Sequence, residues 1–228
     1  MKDSYHINFS AFSLNKFKNG LKSRDLLPSR KVLLDSIDTR FAALEKCNIE
    51  NLEQLIKFLK SKKKIEKAAE QTGIDVNYLT ILRREAASFL PTPVPLDKLI
   101  EPEYGNSLEA LKNQGIKNPK QLFEAGCHID SRKHLALKTR IPEALFLKWV
   151  ELCDLLRING VGPVFAHMLH ESGIKSIKYF NKLSATELLE QISRFNERKK
   201  FTSISLRPED VDYCMDYVKE LDDVLEID

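Results

Sequence analysis

The sequence predicts an all-α protein assembled from diverged repeats of short helices, and three observations carry that prediction. Leu, Ile, Lys and Glu dominate a chain that is 43% apolar and 30% charged, with only eight glycines and nine prolines in 228 residues. Such a composition favours helix and leaves little for strands. Apolar residues recur at three- and four-residue intervals through most of the chain, the period of a helix with one buried face. A shift of 67 residues, without a gap, superposes Ala43-Leu44, Ile49, Asn51, Gln54-Leu55, Thr72 and Ile74 on Ala110-Leu111, Ile116, Asn118, Gln121-Leu122, Thr139 and Ile141. Self-similarity at a fixed period marks an internal repeat.

Taken in chain order, Leu26 to Leu34, Thr39 to Cys47, Leu52 to Phe58, Ser61 to Thr72 and Val76 to Leu90 have helical spacing. Ser61 is suited to cap the fourth of these, since its hydroxyl can accept from the first unpaired N–H groups of the helix. Pro91-Thr92-Pro93-Val94-Pro95 then breaks the rhythm, because alternating prolines forbid helix and stiffen the chain. The expected organisation is a basic helical unit over residues 1–90, a connector over 91–95 and a larger helical unit over 96–228. Beyond the connector the second copy runs to Ile141, and a third begins at Met168-Leu169 and Ile174, with Tyr179-Phe180 in the place of Gln54-Leu55. A longer insertion precedes Leu206-Arg207-Pro208-Glu209, which echoes Ile141-Pro142-Glu143. Ser184 is a candidate N-cap, and Thr186-Glu187 and Pro142-Glu143 suit first helical turns. Leu145, Phe146, Trp149 and Cys153 share a helical face and read as core, while Pro208 to Leu225 reads as an acidic closing helix. Units this short cannot bury their apolar faces alone, so the copies should pack into one another.

Leu155 to Leu169 carries the most information. Gly160 and Gly162 flank Val161, the glycines permitting backbone angles closed to other residues and the valine plugging the corner into the core. Pro163 suits the first turn of the next helix, and the small Ala166 lets two helices approach. This is the spacing of a helix-hairpin-helix motif. Such a corner leaves N–H groups at a helix N-terminus aimed outward, where the helix dipole favours an anion such as a DNA phosphate. Arg157, just before the corner, is a candidate to join them, although Glu151, Asp154 and Glu171 balance Arg157, Lys175 and Lys178 in local charge. The same corner also serves purely as a packing unit, and both readings stand at this level. The matching turns of the earlier copies, Asp35-Ser36-Ile37-Asp38 and Pro102-Glu103-Tyr104-Gly105, lack the paired glycines and are not expected to hold phosphate.

Leu27-Pro28-Ser29-Arg30, Thr72-Gly73-Ile74 followed by Tyr78-Leu79-Thr80-Ile81-Leu82-Arg83-Arg84-Glu85-Ala86, and Leu155 to Gly173 with its central Gly-Val-Gly-Pro resemble an uncharacterised bacterial family. That family is a domain of unknown function grouped with the SAM-like helix-hairpin-helix proteins. The resemblance spans most of residues 20–180. It implies tandem diverged helix-hairpin-helix repeats packed as a compact helical array, with a DNA-binding role, and brings no established activity with it.

Charge is divided unevenly. Residues 1–95 hold 17 Lys and Arg against 11 Asp and Glu, a net +6, whereas residues 96–228 hold 19 against 22, a net −3. Lys57, Lys60, Lys62, Lys63, Lys64 and Lys67, with Arg83 and Arg84, form the densest basic cluster, a candidate for phosphate contacts or simply a solvated helical face. No aromatic residue interleaves the run from Lys60 to Lys67, which argues against base stacking on single strands. Ile65 to Leu79 also imitates a helix-turn-helix, but Thr139 and Ile141 repeat the pattern, so it reads first as a feature of the repeat.

Other classes are weakly supported. Cys127, His128 and His134, or His167 and His170, are incomplete as metal sets. No Gly-x-Ser-x-Gly, phosphate-binding loop or dinucleotide fingerprint occurs, so neither cofactor nor catalytic residue is expected. No apolar run approaches the roughly 20 residues that span a bilayer, and the opening MKDSYHINFS is unlike a signal peptide. The four cysteines, Cys47, Cys127, Cys153 and Cys214, stand far apart, as reduced thiols would. The expectation is a cytoplasmic, non-catalytic binding module that contacts DNA or RNA without sequence preference through Gly160, Val161, Gly162, Arg157, Lys62, Lys63, Lys64, Lys67, Arg83 and Arg84. The alternative is a protein-interaction scaffold whose hairpins are purely structural. Neither the partner nor the oligomeric state can be read from composition or spacing.

Overall fold

The computed structural model describes residues 4–90, 93–203 and 207–227. Its ordered elements are helices, and among the described residues no strand forms beyond an isolated antiparallel bridge between Ser13 and Asn51. The protein is therefore all-α. Pro91 and Thr92 of the predicted connector, and Leu206 of the echo before Pro208, lie outside the described residues.

The chain divides into two compact units, Ile7–Leu90 and Met1–His6 with Pro91–Asp228. The expected first unit thus begins at Ile7, and Ser4 to His6 pack with the later part of the chain. Tyr5 explains why: its side chain is buried, it lies edge-on to Phe123 at 5.6 Å between ring centroids, and its carbonyl accepts a hydrogen bond from Arg157.

In the Ile7–Leu90 unit, α1 (Leu14–Ser23) precedes the first helix expected from the sequence and buries Leu14, Phe17 and Leu21 on one face. Its N-cap Ser13 lies beside Asn51, and Leu14 N–H donates to Glu50 O while Leu52 N–H donates to Phe12 O. The stretch expected as a helix over Leu26 to Leu34 is a 3-10 segment over Pro28–Leu34, fixed by Tyr78 OH donating to Leu33 O at 3.0 Å and Arg30 donating to Ile81 O. Then follow α2 (Ile37–Glu45), α3 (Leu52–Phe58), α4 (Lys62–Thr72) and α5 (Val76–Ala87). Phe12, Phe17, Phe41 and Phe89 form the aromatic centre.

The other unit contains short 3-10 turns at Leu96–Lys98 and Pro102–Tyr104. After them come α6 (Gly105–Asn113), α7 (Pro119–Gly126), α8 (Ile129–Thr139) and α9 (Glu143–Leu155). They are followed by α10 (Pro163–Glu171), α11 (Ile177–Phe180), α12 (Ala185–Lys199) and α13 (Pro208–Val218). Helix α9 runs through the core, with Phe146, Trp149, Val150, Leu152, Cys153 and Leu155 all fully buried, while Leu145 is only half-buried. Gly126 lets α7 approach α9 closely, since a Cβ there would come within 2.7 Å of Val150 Cγ2. The acidic closing helix is shorter than expected: α13 stops at Val218, because the chain beyond it turns to bury Leu221 and Leu225.

The first residues of α3 and α7 (52 and 119), of α4 and α8 (62 and 129) and of α5 and α9 (76 and 143) are each 67 positions apart. Local chemistry repeats with them. Asn51 caps α3 by accepting from Gln54 N–H, and Asn118 caps α7 by accepting from Gln121 N–H. Gln54 and Gln121 reach back to the N–H of Glu50 and Lys117. Ile49 and Ile116 donate to Leu44 O and Leu111 O after a left-handed residue, Asn48 and Gly115 respectively. At the third occurrence Gly173 is left-handed, Ile174 donates to Leu169 O and Ser176 caps α11.

Candidate nucleic-acid interface

The basic candidates are built by α4 and α5. Ser61 caps α4 by accepting from Lys64 N–H, which places Lys62, Lys63 and Lys64 at the first three helical positions. Those positions carry the helix's own partial positive charge, where cations are disfavoured by about 0.3–1 kcal/mol each at an exposed site. All three side chains are exposed, and the first turn holds no acid. Lys62 and Lys63 form no ion pair among the described residues, and Lys64 Nζ is 3.1 Å from Lys57 O. Lys67 is exposed one turn later because Ile65 and Ala68 face the core, and Arg83 and Arg84 are exposed on α5. The helix-turn-helix imitation is the α4–α5 corner, where Gly73 closes α4 in the left-handed region. Its counterpart at α8–α9 is closed by Arg140, and Thr72 and Thr139 donate to Ala68 O and Leu135 O alike.

The glycine corner joins α9 to α10 in the other unit. Gly160 has φ +94°, Val161 is buried beneath the corner and donates to Ile158 O, and Gly162 is the N-cap of α10. Pro163 opens the helix and Ala166 is fully buried against its neighbours. Gly160 is exposed, Gly162 half-exposed, and the N–H groups of Gly160, Gly162 and Val164 find no acceptor among the described residues. Nearby, α13 packs against the same corner: Asn159 donates to Tyr213 OH at 2.8 Å and its carbonyl accepts from the Cys214 thiol. Burial pushes that thiol up to about 11, so it stays protonated at neutral pH.

Arg157 does not belong to any surface. Its side chain is fully buried, and its guanidinium donates to Tyr5 O at 3.1 Å, Ser4 O at 3.0 Å, Asp222 O at 2.7 Å and the Asp154 carboxylate at 2.6 Å, with the Phe123 ring against one face. Asp154, also fully buried, receives the Ile177 N–H on its other oxygen. Burial pushes the Asp154 carboxyl up, opposed by Arg157 and by that N–H. Fully buried, with four N–H donors already engaged inside the unit, Arg157 is closed off from a phosphate at the surface, which corrects its assignment from sequence. The sequence carried little signal for this, since Arg157 lies beside the glycines in the chain and, apart from Asp154, its partners lie far off.

The histidines are occupied separately. His167 Nε2 meets Leu99 O at 2.8 Å, His170 Nε2 meets the Glu151 carboxylate at 2.7 Å and His128 Nδ1 meets Glu226 at 3.0 Å. Among the described residues no three His, Cys, Asp or Glu side chains are arranged to hold a metal ion. The four cysteines are unbridged, and no helix among the described residues is long and apolar enough to cross a membrane.

No curated protein and no solved structure matches the chain. A family described as a domain of unknown function, DUF4332, matches residues 104–220, which take in α6 to α13 with the glycine corner and the Asp154–Arg157 pair; the chain belongs to that family.

Proposed function

We propose that this protein is a non-catalytic binding module of tandem helix-hairpin-helix units that holds the phosphodiester backbone of nucleic acid without reading its sequence. The observation that carries this reading is the trio Lys62, Lys63 and Lys64 at the N-terminus of α4. These cations sit where the helix dipole opposes them and where an incoming phosphate would meet both dipole and charge. Lys67, Arg83 and Arg84 extend the basic surface of a unit that carries 16 Lys and Arg against 10 Asp and Glu. The unpaired amides of Gly160 and Gly162 offer a second contact of the same chemistry, without a side-chain cation. A cytoplasmic address accompanies this reading, in keeping with the four free thiols.

Binding of a fluorescent duplex, followed by anisotropy against salt, tests it. Two duplexes of unrelated sequence are expected to bind alike, with affinity falling steeply from low to moderate salt. Changing Lys62, Lys63 and Lys64 together to Glu is expected to abolish binding at moderate salt and lower the salt slope by about one unit for each phosphate no longer neutralised. Unchanged affinity in that variant, or salt-insensitive binding in the parent, overturns the proposal.

One observation favours a second reading, a protein-interaction scaffold. Helix α13, which bears Glu209, Asp210, Asp212 and Asp216, packs Tyr213 and Cys214 against Asn159 and Gly160, so negative charge adjoins the glycine corner. A basic protein partner on α13 would then leave the corner purely structural. Recovery of a partner that survives nuclease treatment and is lost when Asp212 and Asp216 become Asn would decide for this reading.

A further inference from the structure

The segment after α13 crosses the N-terminus of α8, and what it covers has the make-up of an oxyanion site. Arg132 is 1% exposed. One terminal nitrogen donates to Gly126 O at 2.9 Å, the other to Glu226 O at 3.1 Å, and Nε has no partner. No carboxylate among the described residues lies within ion-pair distance of it. A buried guanidinium left with carbonyls alone and an unused donor is costly, since a desolvated charge is normally matched by a counter-charge.

Above that cation the first N–H of α8, from Ile129, points at the Glu226 carboxylate, 2.9 Å from Oε2, while His128 Nδ1 is 3.0 Å from Oε1. His128 stands at the N-cap position without capping its own helix, so the cap comes from a residue 97 positions away. Glu226 is itself half-exposed and reaches the site from solvent. Its carboxyl is held below the usual range, first by the Ile129 N–H, then by His128, with Arg132 contributing as a nearby charge. The helix N-terminus and the imidazole therefore meet on one anion, which the chain supplies to itself, while the buried guanidinium holds the backbone carbonyl of the same residue and adds positive charge nearby. Glu226 lies outside the residues matched by the family, whereas Ile129 and Arg132 lie inside them.

We propose that Glu226 is an intramolecular plug in a phosphate-binding site formed by Ile129 N–H, His128 and Arg132, and that displacing its carboxylate opens this site to a phosphate group. The ligand class follows from the donors: a tetrahedral oxyanion can take the Ile129 N–H and the imidazole on two oxygens, as the carboxylate does, and turn a third toward the buried cation. Anchored by Leu221 and Leu225, the segment stays in place while its exposed side chain yields.

The test uses the full chain, labelled with nitrogen-15, titrated with inorganic phosphate while the Ile129 amide resonance is followed. The parent is expected to respond weakly. Glu226→Ala is expected to show a saturable shift at Ile129 with at least tenfold higher affinity, Glu226→Gln an intermediate one, and Glu226→Ala combined with His128→Ala a loss of most of the gain. An Ile129 amide that responds no more in Glu226→Ala than in the parent, in a protein whose remaining spectrum shows it folded, overturns the proposal. So does a gain that survives intact without His128. Titrating the same variant with duplex DNA separates two sources of phosphate: a matching gain assigns the phosphodiester of a polynucleotide, and a gain confined to the inorganic ion assigns a free phosphate. Because Ile129 and Lys62 to Lys64 belong to different units and are read by different signals, failure here leaves the lysine reading standing, and the reverse holds as well.

Discussion

Arg157 and Gly160 are three residues apart, yet only the glycine has the local conformation and exposure that its place in the chain suggests. The arginine holds Ser4 O, Tyr5 O, Asp222 O and Asp154 in the interior, so it fastens the segments on either side of the unit's helices. Arg157→Met leaves the Asp154 carboxylate buried without its counter-charge, and is expected to destabilise the unit by roughly 3–5 kcal/mol, measured by urea unfolding. Arg157→Lys should be nearly as damaging, because a single ammonium cannot reach acceptors spread around a planar fork. At φ +94° Gly160 adopts backbone angles that L side chains avoid. Gly160→Ala should therefore cost about 1–2 kcal/mol even though the nearest side-chain atom, Cys214 Sγ, is 3.8 Å from the added carbon. Gly126 has an ordinary backbone but no room, and Gly126→Ala is expected to cost about 1–3 kcal/mol by pushing α7 away from Val150 and Phe146. The Gly-Val-Gly conformation was legible because it depends on neighbours in the chain. The burial of Arg157 was not, because its three carbonyl acceptors are 65 to 153 positions away.

Among the elements, the helix starts were the most readable feature. Ser61 and Ser184, the caps expected from sequence, accept from the N–H three positions on, as Asn51, Asn118 and Ser176 also do, and Ser184 with Glu187 forms a reciprocal capping box. Asn51→Ala and Asn118→Ala are each expected to lower stability by about 1 kcal/mol, with additive effects because each acts within its own unit. Helix ends were harder. Nothing in the composition of Pro208 to Leu225 forbids a longer α13; what stops it is the burial of Leu221 and Leu225 in an extended segment. The start of α8 likewise depends on a remote residue, which gives it a pH signature. Glu226 has a lowered carboxyl pKa in the folded state, so its contribution is fully present above the ordinary carboxylate range and is lost as pH falls through the folded value. The Ile129 amide resonance is expected to move in that acidic window in the parent and to stay still in Glu226→Ala.

For the whole molecule, the chain path matters more than the number of helices. Ser4 to His6 belong to the unit that resumes after residue 90, so the Ile7–Leu90 unit is inserted between two parts of its neighbour in sequence. Removing residues 1–6 deletes the buried Tyr5 and two acceptors of Arg157, an expected loss of about 3 kcal/mol or more from one apolar burial and two charged hydrogen bonds. Trp149, the single tryptophan, lies in that unit and reports on it directly. Its fluorescence should show a lowered urea midpoint in the truncated chain, while the helices of Ile7–Leu90 unfold as before. The class of the fold, the cadence of its helices, the Ser61 and Ser184 caps and the glycine corner were determined by sequence alone, since each depends on residues within about four positions of one another. Tertiary structure decided that Arg157 is interior, that Ser4 to His6 cross to the other unit and that Glu226 caps α8. Those outcomes rest on buried charges finding distant carbonyls and carboxylates, and which partner a desolvated group finds is fixed only when the chain has packed.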